Sequence, residues 1–391
     1  MGYSYKQPKY YEDFRCIGGA CTNSCCEKWL VLWTKKSYKG LIEASCPELP
    51  KELVESRFTK LDNGLYSIIL RENGDCPFHN EKGLCDIQLN LGEKALSPVC
   101  ATYPRSYIKH NSVFQRWCAA SCPAVLELLC NNPSAMERIV CAAREETLPP
   151  KAVVSVDEQE DVDNNKAIFF RNELTDFFWE LFSDKRRSIS SSIILGALAA
   201  KHFSETAQTA PEKTGGLIKD MRKQMNSPAV SRSIEEIKPN YGLKFKLANN
   251  FLVQYLGERL SVDFSAFIKD GALNTENYLI GEGNFNKAFE GREYALKNII
   301  INMFLDCIIP FLNKESSIFS NYAYFAAASA SVQIIAAATG FTGGDIYNRF
   351  ILAVSSLARA ISHNPDRAGK IIKDLESFGI KSPAHIAILV K

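Results

Sequence analysis

The cysteines are the residues of this chain whose number and spacing are best suited to chemistry. Twelve of the thirteen cysteines precede residue 142, and only Cys307 lies beyond it. Cysteines concentrated in one segment indicate disulfides or a metal site rather than inert core packing. The chain begins MGYSYKQPKYYEDF, without the apolar segment of a secretion signal, so we expect a cytoplasmic, reducing location. A metal site is therefore favoured over disulfides.

The cysteines fall into three separated groups within a loop-rich segment. Short loops that contain Gly and Ser let several thiols converge on one centre. Adjacent cysteines can hardly both bind one metal atom, so in a Cys-Cys pair we expect one ligand and one packed thiol. Cysteines outside the groups are expected in the core or at the surface. The groups are Cys16, Cys21, Cys25 and Cys26; Cys76, Cys85 and Cys100; and Cys118 and Cys122, with Cys46, Cys130 and Cys141 outside them.

Zinc and an iron–sulfur cluster are the two metal centres to be distinguished. Structural zinc prefers paired CxxC knuckles, whereas the gaps here are four, three and zero residues in the first group and eight between Cys76 and Cys85. Histidine ligands are scarce, because only His79 of the five histidines lies near the cysteines. An irregularly spaced set of thiolates suits an iron–sulfur centre better, with zinc as the alternative.

The elements that must position these cysteines are expected to be short. Gly and Pro recur throughout the first 123 residues, which disfavours long helices and strands. One hairpin is predicted where Gly64–Leu70 alternates after an Asn63-Gly64 turn, and a short helix is predicted over Pro123–Cys130. Residues 1–148 therefore read as an irregular, Cys-rich, metal-binding region.

The rest of the chain is predicted to be a helical bundle, so the fold class is mainly α. Residues 149–165, with paired prolines and an acidic run, are an expected linker or loop, and residues 166–391 an expected helical domain. Apolar residues recur at helical spacing there. The predicted helices cover Ile168–Phe182, Ser191–Phe203, Ser233–Lys238, Leu243–Arg259, Thr275–Phe285, Phe289–Pro310, Tyr322–Ala338, Asp345–Ala360 and Pro365–Phe378.

Composition excludes several classes of partner. A formal net charge of +2 argues against nucleic acid and against an anionic membrane surface. Tyr324–Phe341 is long enough to cross a membrane, but it is rich in Ala and interrupted by Ser, Gln and Thr. We expect a buried helix of a soluble bundle there, and no membrane contact. Homo-oligomers are left open.

Several of these strings resemble the bacterial flagellin lysine N-methylases (FliB-like), within a broader cysteine-rich group named for zinc or iron chelation. The similar motifs lie between residues 8 and 123, and the C-terminal part agrees more weakly through Glu276–Leu279 and Tyr294–Phe311. The motifs are Pro8-Lys9-Tyr10, Phe14-Arg15-Cys16-Ile17-Gly18, Cys76-Pro77-Phe78, Leu84-Cys85-Asp86-Ile87-Gln88, Cys100, Tyr103-Pro104-Arg105 and Ser121-Cys122-Pro123.

The resemblance implies transfer of a methyl group from S-adenosylmethionine to lysine ε-amines of flagellin, and a four-iron cluster. It selects eight cysteines as the metal ligand set and leaves Cys118 outside. Those eight are Cys16, Cys21, Cys25, Cys26, Cys76, Cys85, Cys100 and Cys122.

The residues themselves add little support for a methyltransferase. Gly281-Glu282-Gly283 lies in helical context and not in a nucleotide-binding turn. The radical-type CxxxCxxC signature is absent, because Lys28 stands where its third cysteine would fall. Tyr103 and Arg105 are the first candidates for catalysis, with Arg105 as a clamp for the donor's carboxylate. The equal alternative is a rigid turn that braces the metal site.

Two other functions remain open at this level. One is a chelating or sensing protein without enzymatic activity, which would have no need of the long helical region. The other is a redox or radical enzyme acting on another substrate, which would need an iron with an open coordination position.

Overall fold

The computed structural model describes residues 3–27, 31–143, 154–155, 166–256, 267, 272–307, 316–362 and 365–391. The chain forms two compact units. The cysteine unit comprises Phe14–Ser106 and Cys122–Ala124, and the helical unit comprises Met1–Asp13, Tyr107–Ser121 and Val125–Lys391. This division differs from the predicted boundary, because the N-terminal strand pairs with strands that lie beyond residue 112. Of the expected acidic linker, only residues 154–155 are described.

The strands are short and form two sheets. One sheet has three strands in the order β2-β4-β3, and the other has five in the order β7-β1-β6-β5-β8. The strands are β1 (Tyr3–Pro8), β2 (Leu32–Trp33), β3 (Phe58–Lys60), β4 (Tyr66–Ile68), β5 (Arg105–His110), β6 (Val113–Cys118), β7 (Arg138–Ala143) and β8 (Val154–Ser155).

Helices dominate the described residues, and the fold is mainly α, as predicted. They are α1 (Lys35–Glu43), α2 (Lys51–Glu55), α3 (Asp86–Leu91), α4 (Pro98–Thr102), α5 (Pro123–Asn131), α6 (Arg171–Ser183), α7 (Ile189–Thr209), α8 (Thr214–Met225), α9 (Pro228–Glu235), α10 (Tyr241–Leu256), α11 (Thr275–Ala288), α12 (Tyr294–Asp306), α13 (Ile318–Thr342), α14 (Ile346–Ser362), α15 (Pro365–Ser377) and α16 (Pro383–Val390).

The cysteine unit has a small apolar core of its own. Trp33, Leu41 and Val54 are fully buried in it, and Cys76 and Cys85 pack against it while still partly exposed. The predicted hairpin is confirmed: β3 and β4 pair on either side of the Asn63-Gly64 turn. Gly64 adopts a φ of +80°, a conformation that costs glycine little. A small core of this kind holds loops in place without long helices.

The sheet of the helical unit combines two strands that are adjacent in sequence, β5 and β6, with strands that are far apart. Strand β1 runs parallel to β6 and antiparallel to β7, more than 100 residues away. Tyr5, Tyr107 and Phe114 form a buried aromatic group on this sheet. These strands were not predicted from the sequence. Non-local pairing leaves little trace in the local pattern of any one strand, and only the folded chain shows it.

Helix α13 is the central element of the helical unit. It alone among the described helices is long and apolar enough to cross a membrane, yet 89% of its most apolar window is buried in the fold. Tyr322 donates to the carbonyl of Ile193 on α7 at 2.8 Å, and Tyr324 donates to that of Ile361 on α14 at 2.7 Å. The expected buried helix is confirmed. Its tyrosine hydroxyls are paired, as buried polar groups must be.

Helices α11 and α13 cross at very short distance. A Cβ atom added to Gly281 would lie 2.0 Å from the carbonyl oxygen of Ala337, and one added to Gly340 would lie 2.0 Å from that of Gly281. Only glycine allows the two backbones to approach this closely. The prediction that Gly281 and Gly283 lie in a helix is confirmed, and Gly281 serves packing.

The helices predicted after residue 166 are found with shifted ends, and two of the described helices there were not predicted, nor were the four short helices α1–α4. Helix α12 begins at Tyr294 rather than Phe289, after a turn at Gly291 with φ of +78°. The predicted end at Pro310 lies outside the described residues. Helices α8 and α16 were missed because the first begins Thr-Gly-Gly and the second is too short for a clear period.

Candidate metal centre

Five thiols line one cavity within the cysteine unit. The cavity has a volume of about 80 Å³, enough for several water-sized atoms. Its other walls are mainly apolar and include Val31, Trp33, Ile68 and Leu96. Four separate chain segments contribute the thiols, so folding and not sequence proximity brings them together. They are Cys25, Cys26, Cys76, Cys85 and Cys100.

Backbone hydrogen bonds fix the first two segments against each other. The amide of Cys76 donates to the carbonyl of Cys26 at 2.8 Å, beside a bridge between Glu27 and Asp75. The amide of Cys26 in turn donates to Ser24 Oγ at 3.1 Å. These bonds hold the Cys25-Cys26 turn next to Cys76. The local sequences allow these turns, because the Ser24 side chain accepts a backbone hydrogen bond and Gly74 adopts a φ of +87°.

The other two thiols stand at helix starts. Cys85 is the residue before α3, where burial raises the pKa of its thiol and the backbone amides of Gln88 and Ile87 oppose that rise. Cys100 lies in the first turn of α4, where its amide donates to Ser97 Oγ at 3.1 Å. Hydrogen bonds from N–H groups favour the thiolate over the thiol and stabilise metal-bound sulfur. The strings Leu84–Gln88 and Ser97–Cys100 thus act as thiol-presenting turns.

Burial and mutual proximity raise the pKa values of these thiols. The hydrogen bond with Cys25 and then burial raise the pKa of Cys26. Burial, with a smaller contribution from the neighbouring Cys85 thiol, raises the pKa of Cys76 to about 12 and that of Cys100 to about 11. Five thiols that repel one another as thiolates are best accommodated around a cation. The cavity fits a thiolate-bound metal group.

The thiols surround a space and do not converge on a point. Across the part of the chain that the structure describes, no three His, Cys, Asp or Glu side chains meet closely enough to hold a single metal ion as they stand. A tetrahedral zinc site with Zn–S bonds near 2.3 Å needs sulfurs only about 3.8 Å apart. A four-iron cluster is also held by four thiolates, fewer than the five that line the cavity.

Three of the eight predicted ligands do not line this cavity in the described structure. Cys16 is exposed, and its sulfur accepts from the amide of Gly18 at 3.4 Å; Cys21 is half-buried. The turn between them packs on a second turn, where Cβ atoms would not fit: one added to Gly19 would lie 2.3 Å from the carbonyl oxygen of Lys82. Cys122 is buried within the same unit. The role of these three as ligands stays a prediction.

The cysteines expected outside the site occupy mixed positions. Cys118, Cys130 and Cys307 are buried, whereas Cys46 and Cys141 are half-buried. None of these five lines the cavity in the described residues. All thirteen cysteines are free thiols in the described chain.

The two predicted catalytic residues have different surroundings in the structure. Tyr103 lines the thiol cavity. The Arg105 guanidinium instead lies 5.0 Å from the centre of the Phe14 ring and donates to the Phe14 carbonyl at 3.4 Å. These contacts resemble the bracing turn of the alternative hypothesis. Gln88 and Trp33 were not predicted as cavity residues, although Gln88 is the last residue of the Leu84–Gln88 motif.

Comparisons with known proteins identify the family of this chain. The sequence profile of the FliB lysine N-methylase C-terminal domain matches residues 175–389, more than half of the chain. A segment of 134 residues is 29% identical to the flagellar biosynthetic protein FliU of Salmonella muenchen, covering 33% of this chain and 79% of that protein.

The same identity over 134 residues relates the chain to two proteins named lysine-N-methylase, from Salmonella choleraesuis strain SC-B67 and Salmonella typhimurium strain LT2. The match spans 33% of this chain and only a third of the length of either enzyme. No solved structure matches. On the extent of the profile match, the chain belongs to the FliB lysine N-methylase family.

Proposed function

We propose that this chain is a cytoplasmic enzyme that uses S-adenosylmethionine to methylate lysine ε-amines on the surface of flagellin, and that it carries an iron–sulfur cluster. The cavity lined by five thiols, in a chain of the FliB family, is the observation that carries the proposal. Two relatives are named lysine-N-methylase, which supports lysine methylation as the activity. A third is named a flagellar biosynthetic protein, which supports a flagellar substrate.

The cluster would be held by four of the five cavity thiols. Cys85 affects or is affected by the charge of each of the other four thiols, so we assign it to the cluster. Cys25 and Cys26 are adjacent and hydrogen-bonded to each other, so we assign one of them to the cluster and leave the other as a spare thiol. When bound, the cluster would supply a rigid, redox-capable centre that ties four loops together.

The chain's own residues supply the rest of the environment. Trp33, Ile68 and Ile87 exclude water from the thiol cavity, which protects sulfur ligands from exchange and oxidation. Tyr103 and Gln88 are the polar side chains on its wall. Tyr103 therefore stays the candidate for contact with a reacting group. The amine that is methylated must be neutral, because a protonated nitrogen has no lone pair for the methyl carbon.

The activity test measures transfer of label from methyl-labelled S-adenosylmethionine to flagellin. The protein is purified without oxygen, and label in lysine is identified by mass spectrometry after digestion. We expect N-methyllysine in flagellin with the native chain, and loss of most of it with Cys85→Ser. The matched control Cys141→Ser changes a half-buried thiol outside the cavity and should keep full activity.

Two results would contradict the proposal. Unlabelled flagellin with a metal-loaded native chain would favour a chelating or sensing protein. Equal labelling by the native chain and the Cys85→Ser variant would separate the methylation from the thiol cavity.

A further inference from the structure

A second, larger cavity lies in the helical unit and has no role in the proposal so far. Its volume is about 550 Å³, within the range of about 300–1,000 Å³ that small-molecule sites occupy. Helices α6 and α12 and the segment after α5 form its walls, and most of its lining falls within the family-matched region 175–389. We call it the α6–α12 cavity.

The base of this cavity is fixed by hydrogen bonds. The buried Trp179 indole donates to the carbonyl of Met136 at 3.1 Å, which ties α6 to the segment after α5. The buried Asn298 amide donates to the carbonyls of Leu129 and Asn132 at 3.0 and 2.9 Å, which ties α12 to the same segment. A pre-formed cavity with an aromatic wall is typical of a ligand site.

The acidic groups of the lining already have cationic partners. Arg138 lies 3.3 Å from Glu180, and Arg222 lies 3.0 Å from the same carboxylate. Glu137 pairs with Lys9 at 3.6 Å. An incoming cation such as a substrate lysine would have to compete with these arginine and lysine side chains.

Two other side chains of the lining can donate hydrogen bonds to a ligand. In the described part of the chain, the Lys185 ammonium and the Tyr294 hydroxyl line the cavity without a hydrogen bond or ion pair. Lys297 donates to the carbonyls of Asp184 and Arg187 at the end of α6, which leaves it one further proton to donate. Burial lowers the pKa of Lys297, the Asp184 carboxylate opposes this, and the charge of Lys185, which lines the same cavity, lowers it further. A carboxylate between the two ammonium groups would relieve their repulsion.

We infer that the α6–α12 cavity binds the methyl donor and its product S-adenosylhomocysteine, with the donor's carboxylate on Lys185, Lys297 and Tyr294. The inference rests on the proposed use of S-adenosylmethionine. It assigns the donor to side chains of the helical unit and gives the thiol cavity no part in holding it.

The test measures binding of S-adenosylhomocysteine by calorimetry to the metal-loaded native chain and to Lys185→Glu and Tyr294→Phe. These two side chains are chosen because they support no other contact, and urea unfolding checks that the variants are folded. Lys219→Glu is the matched control, an exposed lysine on α8 outside the cavity. We expect affinity to fall at least tenfold for Lys185→Glu, a few-fold for Tyr294→Phe and not at all for the control.

A photoreactive azidoadenosyl analogue of S-adenosylhomocysteine locates the site independently. We expect its crosslinks in the peptides that contain Trp179–Lys185 or Tyr294–Ile301. Crosslinks confined to residues 76–103, or unchanged affinity in both cavity variants, would overturn the inference, as would failure of the native chain to bind the product.

Methyl transfer to flagellin, measured on the same samples, distinguishes the two proposals. If the native chain methylates flagellin while both cavity variants bind the product normally, only the donor site is wrong. If the native chain neither methylates nor binds, both proposals fail.

Discussion

The Trp117 indole donates a hydrogen bond of 2.7 Å to the carboxylate of Asp306, and both residues are buried. The other oxygen of Asp306 accepts from the amide of Ala120, also at 2.7 Å. One carboxylate on α12 therefore holds the end of β6 and the residues that follow it. Nearby, Tyr10 and Asn302 both donate to the Cys118 carbonyl at 3.0 Å. Burial raises the pKa of Asp306 to about 7, although its two hydrogen bonds act in the opposite direction.

Asp306 should make stability depend on pH. The folded pKa of about 7 exceeds the ordinary value of 3.8, so the folded state retains a proton that the unfolded chain has lost. This contribution is complete below about pH 4 and is lost as the pH rises towards 7, at most roughly 4 kcal/mol. Urea unfolding of the native chain and Asp306→Asn at pH 5, 6, 7 and 8 measures it. The difference in unfolding free energy should shift in favour of Asp306→Asn with rising pH, and a constant difference would contradict the assignment.

The crossing of α11 and α13 gives a prediction with a built-in control. Gly281→Ala places a Cβ atom 2.0 Å from a carbonyl oxygen and should lower the free energy of unfolding by about 3 kcal/mol. Gly283→Ala, on the same helix, meets no atom within 4 Å and should raise it by about 0.5–1 kcal/mol. Thermal or urea unfolding of both variants measures these changes in the free energy of unfolding. Similar effects of the two substitutions would show that the helices do not cross at Gly281.

The buried Lys244 should cost stability at neutral pH. Its ammonium donates to Tyr278 Oη at 3.1 Å and Gln333 Oε1 at 3.2 Å, but burial lowers its pKa to about 8. Lys244→Met removes the desolvated charge and should raise the unfolding free energy at pH 7 by about 1 kcal/mol. Above pH 8 the folded lysine is neutral while the unfolded one stays charged, so the native chain gains stability and the advantage of Lys244→Met should shrink by pH 10.

The exposed Lys201 on α7 is the control for that measurement. Its ammonium pairs with Glu205 at 3.6 Å near the surface, so Lys201→Met should change stability by less than about 0.5 kcal/mol. A Lys244→Met variant that is less stable than the native chain at pH 7 would mean that the two hydrogen bonds outweigh the cost of desolvation.

Arg105 should stabilise the cysteine unit without binding the donor. Loss of its contacts with Phe14 in Arg105→Ala should lower the unfolding free energy by about 1 kcal/mol. Affinity for S-adenosylhomocysteine should be unchanged. A tenfold loss of affinity in a folded Arg105→Ala protein would instead support the carboxylate clamp suggested by the Tyr103-Pro104-Arg105 motif.

The helices were predictable because their evidence is local. Apolar residues at three- and four-residue spacing revealed α6, α7 and α13, and tertiary packing then set their ends. The five-stranded sheet was not predictable in the same way, because β1 finds its partners only after the intervening residues fold. That non-local pairing also explains why the first thirteen residues belong to the helical unit.

The existence of a thiol site was predictable from the sequence, but the cysteines that line the cavity were not. Residue type and clustering indicated a metal site, and five of the eight selected cysteines line one cavity. The spacing of the cysteines gave no indication that the turn containing Gly19 packs on Lys82 and that Cys16 is exposed. The α6–α12 cavity left no motif at all, since Trp179 and Lys297 come from helices more than 100 residues apart.

The metal content of cysteine variants tests the central claim most directly. Iron, sulfide and zinc are measured in anaerobically purified native chain, in a variant with Ser at the five cavity cysteines, and in one with Ser at Cys46, Cys130 and Cys141. We predict a brown native protein with roughly four irons and four sulfides per chain, a colourless five-site variant and a control that keeps its cluster. Zinc without iron in the native chain, or a cluster that survives replacement of all five cavity thiols, would contradict the account.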